Sequence, residues 1–157
     1  MRLVLILAAA ASAALALGVG TAAPGTLATC KPTESDGAGP FSRSAAAPPR
    51  RTIFGRGHVL TGRVLRYPGC KPVRGAFVEI WQESPGVGYV GKGRASMITG
   101  RDGTFRFQGP KPASEGGFPP HIHVHVSAGG YEDVVTTYFV RAGAKRGRIT
   151  IVLFSAL

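Results

Sequence analysis

The chain has 157 residues, with 19 lysines and arginines against 8 acidic residues, a formal net charge of +11 and a sequence pI near 10.7. Once an N-terminal export segment is set aside, roughly 130 residues remain, which suffices for one compact domain and excludes two. The basic residues are scattered, with no long basic run and no recognition helix, so the charge describes a solvated basic surface suited to acidic small molecules rather than a nucleic-acid binder.

Residues 1–28 read as a signal peptide. Arg2 is the only charge in this stretch, Leu3 to Val19 is almost wholly aliphatic, and Gly20-Thr21-Ala22-Ala23 supplies small residues. Pro24 disfavours cleavage directly after Ala23, and Ala28 offers a later site. No charged stop-transfer flank follows, so no membrane span is expected once the signal is removed, and the chain is exported to a periplasmic, secreted or cell-surface location. Two cysteines, Cys30 and Cys70, form one disulfide in an exported chain. A competing fate for Cys30 is lipid attachment, because Leu27-Ala28-Thr29-Cys30 is similar to a lipoprotein cleavage box.

Residues 29–56 are rich in Pro, Gly, Ala and Ser without apolar periodicity, which predicts an extended arm or linker rather than packed structure. The domain follows over 57–157. Its strands are read at Val59–Leu65, Ala76–Gln82, Ala95–Thr99, Thr104–Phe107, from His121 onward, Val134–Val140 and Arg148–Phe154. Tyr67–Pro72 is a turn, and Gly100-Arg101-Asp102-Gly103 a hairpin-type turn in which Asp102 is a turn former. Seven short strands with no sustained helical period predict an all-β, two-sheet sandwich with long site-forming loops at 83–94 and 109–120.

Chemistry concentrates in Pro119-Pro120-His121-Ile122-His123-Val124-His125. In a strand, alternate side chains share a face, so the three histidines line one side while Ile122 and Val124 enter the core. Imidazole is the commonest metal-ligating side chain, which makes this face a candidate metal site, the alternative being the polar outer face of a half-buried strand. His125 lies further along and reads as outer support or surface. His58 precedes the first strand and reads as exposed, Trp81 as a core residue near the site, Tyr138 as core or edge packing and Tyr131 as a loop residue.

The pieces Gly62-Arg63-Val64, Gly69-Cys70-Lys71-Pro72-Val73-Arg74-Gly75-Ala76, Val78-Glu79-Ile80-Trp81-Gln82, Gly88-Tyr89, Thr99 to Phe107 and Pro119 to Val124 occur in one order. Together they resemble the core of the intradiol ring-cleavage dioxygenases. Upstream, Cys30-Lys31-Pro32-Thr33 and Gly39-Pro40-Phe41 resemble the arm of the short, exported members. The resemblance implies a transthyretin- or immunoglobulin-like sandwich. It also implies a non-haem Fe(III) ion, no organic cofactor, and a catechol-type aromatic substrate cleaved with dioxygen between its two hydroxylated carbons.

By the same resemblance, His121 and His123 fall on the family's His-x-His, and Tyr89 on the first of its two tyrosine ligands. Phenolate is a hard anionic donor that favours Fe(III), and only a strongly charged metal ionises a phenol with an ordinary pKa near 10 at neutral pH. The family's second tyrosine has no counterpart in 109–118; Glu115 stands at or beside its place, a hard oxygen ligand and a competent base. Phe118 stands where the family tends to carry arginine. Two other readings follow: a catalytically lapsed sandwich acting as a binding module, and a ferrous site of His121, His123 and Glu115.

Overall fold

The computed structural model describes residues 30–36, 49–85 and 93–156. The signal expected at 1–28 and the tyrosine at 89 lie outside the described residues. Eight strands run in chain order: β1 Gly57–Arg66, β2 Lys71–Pro72, β3 Phe77–Trp81, β4 Arg94–Ile98, β5 Thr104–Pro110, β6 His121–Ser127, β7 Val134–Phe139 and β8 Arg146–Leu153. They form the expected all-β sandwich of two four-stranded sheets. β2 is the addition to the sequence reading. It is two residues inside the predicted turn, paired to the end of β1 through Leu65↔Pro72 and Arg66↔Lys71.

In the first sheet β1 is central. It pairs antiparallel with β5 and β2 along one side and parallel with β8 along the other. The second sheet runs β4-β3-β6-β7 and is antiparallel throughout. The turn at 100–103 corrects the hairpin expectation. Gly103 N donates to Gly100 O at 3.1 Å, but the flanking strands β4 and β5 belong to different sheets, so the turn carries the chain across the sandwich. Asp102 shapes it as expected, its Oδ1 accepting from Thr104 Oγ1 at 2.8 Å and Thr104 N at 3.2 Å.

Alternation along each strand builds the core. Leu60, Val64, Phe105, Phe107, Ile151 and Leu153 from one sheet meet Val78, Ile80, Ala95, Ile122, Val124 and Val126 from the other, all buried. Burying side chains of this size stabilises by about 1.5–3 kcal/mol each. Gly62, paired with Phe105, is required by that packing: a Cβ there would lie 2.2 Å from the Phe105 ring.

The described arm residues are extended, as expected, yet they are docked. Thr33 N donates to Val152 O and Asp36 N to Val135 O. Further along, Ser96 N donates to Pro49 O, Arg51 N to Ser96 O, Phe54 N to Gln108 O and Gln108 N to Thr52 O. The arm thereby covers the free edges of β7, β4 and β5 and supplies partners for backbone groups that an exposed edge leaves open. Cys30 and Cys70 are joined in a disulfide across 40 residues, Cα–Cα 5.7 Å, which ties the arm to the β1–β2 turn.

Candidate metal centre on the histidine face

β6 places Ile122, Val124 and Val126 in the core and His121, His123 and His125 on the opposite face. Register extends that face across the sheet. Trp81 of β3 lies opposite His123 and Glu79 opposite His125, while Arg94 and Ser96 of β4 lie opposite Trp81 and Glu79. On the other side Phe139 and Thr137 of β7 lie opposite His121 and His123. Trp81, only 1 % exposed, is a buried residue near the site, as expected, and its register sets it on the histidine side of the sheet.

His121 is buried at the start of β6. Its Nδ1 donates to the Pro119 carbonyl at 2.8 Å, which assigns a proton to that nitrogen, so that in the neutral ring Nε2 is the ligating atom. Holding one ring nitrogen on a backbone carbonyl is the usual way a ligating imidazole is oriented. The His123 ring meets His121 edge-on, centroids 4.9 Å apart at 89°, and stacks on Trp81 at 5.1 Å and 16°. Its Nδ1 is 3.4 Å from Thr137 Oγ1. Burial pushes the His123 imidazole below its ordinary range, the neighbouring His121 adds to that, and Asp36 opposes it. A neutral imidazole is the ligating form.

Two aromatic rings rim the pair. Phe118, 61 % exposed, and Phe139, 50 % exposed, lie with centroids 6.3 Å and 5.9 Å from His121. Phe118 is presented by a tight turn with Glu115. Glu115 N donates to Phe118 O, Phe118 N donates to Glu115 O, and Gly116 and Gly117 take φ of +56° and +83° between them. Positive φ at both central positions is what such a turn demands, and glycine supplies it without strain. The bases of the two long loops are joined: Gln82 N donates to Gly93 O, Ala113 N donates to Glu83 O, and Gln82 Nε2 donates to Ser84 Oγ and Pro110 O. Gln82 and Glu83 are thereby fastened to Gly93, Pro110 and Ala113.

Beyond the pair, His125 Nε2 is 3.1 Å from Asp133 Oδ2 and its Nδ1 is 3.8 Å from Glu79 Oε2. Glu79, with Asp133, holds this imidazole above its ordinary range against the burial that lowers it. Glu79 Oε1 also accepts from Arg94 Nε at 2.9 Å and pairs with Arg94 Nη2. Both members of that ion pair are buried. Sequence reading passed over Glu79 and Arg94 as site-supporting residues; the signal was the alternation of Phe77, Glu79 and Trp81 against Val78 and Ile80.

His58 also departs from expectation. It is buried inside β1, with Nδ1 3.1 Å from Ala144 O and no partner at Nε2 among the described residues. Among the described residues no group of three or more His, Cys, Asp or Glu side chains is placed to hold a metal ion, so His121, His123 and Glu115 do not form a ready three-ligand set. The two imidazoles do fit one half of a metal site, with one tautomer fixed, a rigid strand beneath and an aromatic backing.

No family model matches the chain, and no curated protein matches it. Solved structures do. The dioxygenase domain of a dioxygenase carbohydrate-binding protein fusion from the cellulolytic bacterium Streptomyces sp. SirexAA-E aligns at 25% identity and TM-score 0.68, over 80% of this chain and 100% of that one. Hydroxyquinol 1,2-dioxygenase from Pseudomonas putida DLL-E4 aligns at 21% identity and TM-score 0.66, over 82% of this chain and 68% of that one. An intradiol ring-cleavage dioxygenase from Tetranychus urticae aligns at 23% identity and TM-score 0.62, over 72% and 66%. These neighbours support the resemblance read from the sequence: the chain has an intradiol dioxygenase-like fold.

Proposed function

We propose that this protein is an exported, non-haem Fe(III) intradiol-type dioxygenase that inserts dioxygen into a catechol-like ring and cleaves it between the two hydroxylated carbons. The observation that carries this reading is the His121–His123 pair, oriented by Pro119 O and Trp81 on a fold shared with intradiol dioxygenases. His121, His123 and the Tyr89 phenolate would hold the metal, and Glu115, not grouped with the two histidines among the described residues, would serve as a base. Bound there, ferric iron supplies Lewis-acid polarisation and a template for a chelating diol.

The protein's own groups do the rest. The Pro119 carbonyl keeps the His121 proton on Nδ1 and turns Nε2 toward the site. Trp81 holds the His123 ring in one plane. Phe118 and Phe139 give a flat ring an apolar rim beside the histidines. Glu115 accepts a substrate hydroxyl proton, the task that the family's second tyrosine would perform. Export is supported by the character of residues 1–28 and by the Cys30–Cys70 bond.

The test is metal content and a visible spectrum of the purified protein, before and after catechol. Near-equimolar iron and a visible band that shifts with catechol is the expected result. Tyr89→Phe removes the band, His121→Ala or His123→Ala prevents loading, and Glu115→Gln slows ring cleavage while sparing the band. A second reading, a lapsed sandwich that binds without reacting, is favoured by Phe118 in the place of arginine and by the missing tyrosine. Colourless protein that cannot be loaded with iron would establish that reading instead.

A further inference from the structure

Arginines far apart in sequence gather on the outer face of the sheet opposite the histidines. Alternation turns Thr61 and Arg63 of β1, Thr104, Arg106 and Gln108 of β5, and Arg146, Arg148 and Thr150 of β8 away from the core. Register sets them in rows. Thr61 lies between Arg106 and Arg148, Arg63 between Thr104 and Thr150, and Val59 between Gln108 and Arg146. With strands about 4.8 Å apart and same-face residues about 7 Å apart along a strand, this is a lattice of cations and hydrogen-bonding groups. No Asp or Glu occurs in β1, β5 or β8. None of the four arginines is in an ion pair among the described residues, and Asp102 is the carboxylate on which Arg63 acts.

A shallow depression of about 700 Å³, lined by Thr61, Arg63, Arg106 and Arg148 among others, crosses this face. A second of about 400 Å³ shares Thr61, Arg106 and Arg148 with it and reaches Arg146. Two linked hollows over several strands suit an extended polymer better than an enclosed small molecule. The guanidinium fork matches carboxylates in a bidentate way, and threonine hydroxyls with the Gln108 amide suit a hydroxyl-rich chain. The outward positions on these strands carry no aromatic side chain on which a base could stack, as single-stranded nucleic acid requires. A sheet face is too broad for a duplex groove that admits a helix or a two-stranded ribbon. No large exposed apolar side chain on these strands offers a wedge for a bilayer.

We propose that the Arg63–Arg106–Arg146–Arg148 face is a docking surface for a carboxylate-bearing polysaccharide. It lies on the sheet opposite the histidine face and is independent of the iron chemistry.

The experiment measures affinity of the purified protein for polygalacturonate at about 50 mM salt, where charge contacts are weakly screened. Neutral dextran, double-stranded DNA and anionic phospholipid vesicles serve as comparison probes. Arg106→Gln/Arg148→Gln is set against Arg74→Gln/Arg141→Gln, which removes the same charge from exposed positions elsewhere, with thermal melts to verify folding. The expected result is polygalacturonate binding that exceeds all three comparison probes and weakens by at least about tenfold in the first double variant but less than about twofold in the second. No binding, equal loss in both variants, or stronger binding to DNA or vesicles overturns the proposal.

Discussion

Replacing Glu79 tests the polar layer beneath the histidine face. Glu79 is 5 % exposed and Arg94 4 % exposed. Glu79 Oε1 serves both Arg94 Nε and Arg94 Nη2, while Arg94 Nη1 already lacks a partner among the described residues. Glu79→Leu therefore leaves a buried guanidinium with no side-chain anion, and removing one member of such a pair costs about 3–5 kcal/mol. Against a total stability of about 5–15 kcal/mol, that is a large fraction. The companion change Arg94→Met removes the stranded cation, so the double variant recovers to within about 1 kcal/mol of wild type. Urea denaturation of the four proteins in a double-mutant cycle measures the coupling directly. A single-variant cost under about 1 kcal/mol, or a double variant as damaged as the sum of the singles, would refute the claim that the pair is held out of water.

Trp81→Ala removes a buried ring and lowers stability by about 3–5 kcal/mol in the same assay; Trp81→Phe keeps most of the volume and costs less, so equal losses would argue against a packing role. Replacing Cys30 and Cys70 by serine opens a 40-residue loop and costs about 4 kcal/mol on the chain-entropy account, read as a lower thermal midpoint. Thr104, through its hydroxyl and its N–H, holds the Asp102 carboxyl below the usual carboxylate range. A depressed carboxyl contributes stability that is present above its unfolded value near 3.9 and is lost as pH falls through the folded value. Asp102→Asn keeps an acceptor for Thr104 but does not titrate, so its acid-unfolding curve is shallower than that of wild type; superimposable curves would remove Asp102 from the account.

The strands were legible because alternation and turn chemistry agree. Phe105 and Phe107 against Arg106, and Ile122 and Val124 against the histidines, set both the strand and its face. The Gly100–Gly103 turn was legible as a turn but not as a crossing, since sheet membership depends on which strands pair at long range, and local residues do not encode that. Lys71–Pro72 is too short to show a period. His58 was misjudged because its burial comes from the β7–β8 connection, through Ala144, and not from its own neighbours. Trp81 was legible as a buried residue near the site from its size, while its register opposite His123 was not. The histidine pair was visible in the sequence; its orientation by Pro119 O and its backing by Trp81 were not, because both depend on tertiary contacts.

The pairing of beginning with end has a kinetic consequence. β1 lies against β8, the last strand among the described residues, and the arm is bonded to β7 and β8 across separations of 100 residues for Ser35 with Val135 and 119 for Thr33 with Val152. Contacts of such high order carry the entropy of closing nearly the whole chain before they reward it, which places folding toward the slow end for domains of this size. β1 remains without its parallel neighbour until β8 has followed. A chain that has not yet presented Arg146–Leu153 leaves β1 with one side open, so the arrival of β8, rather than emergence of the N-terminal half, is the event that lets the sandwich close.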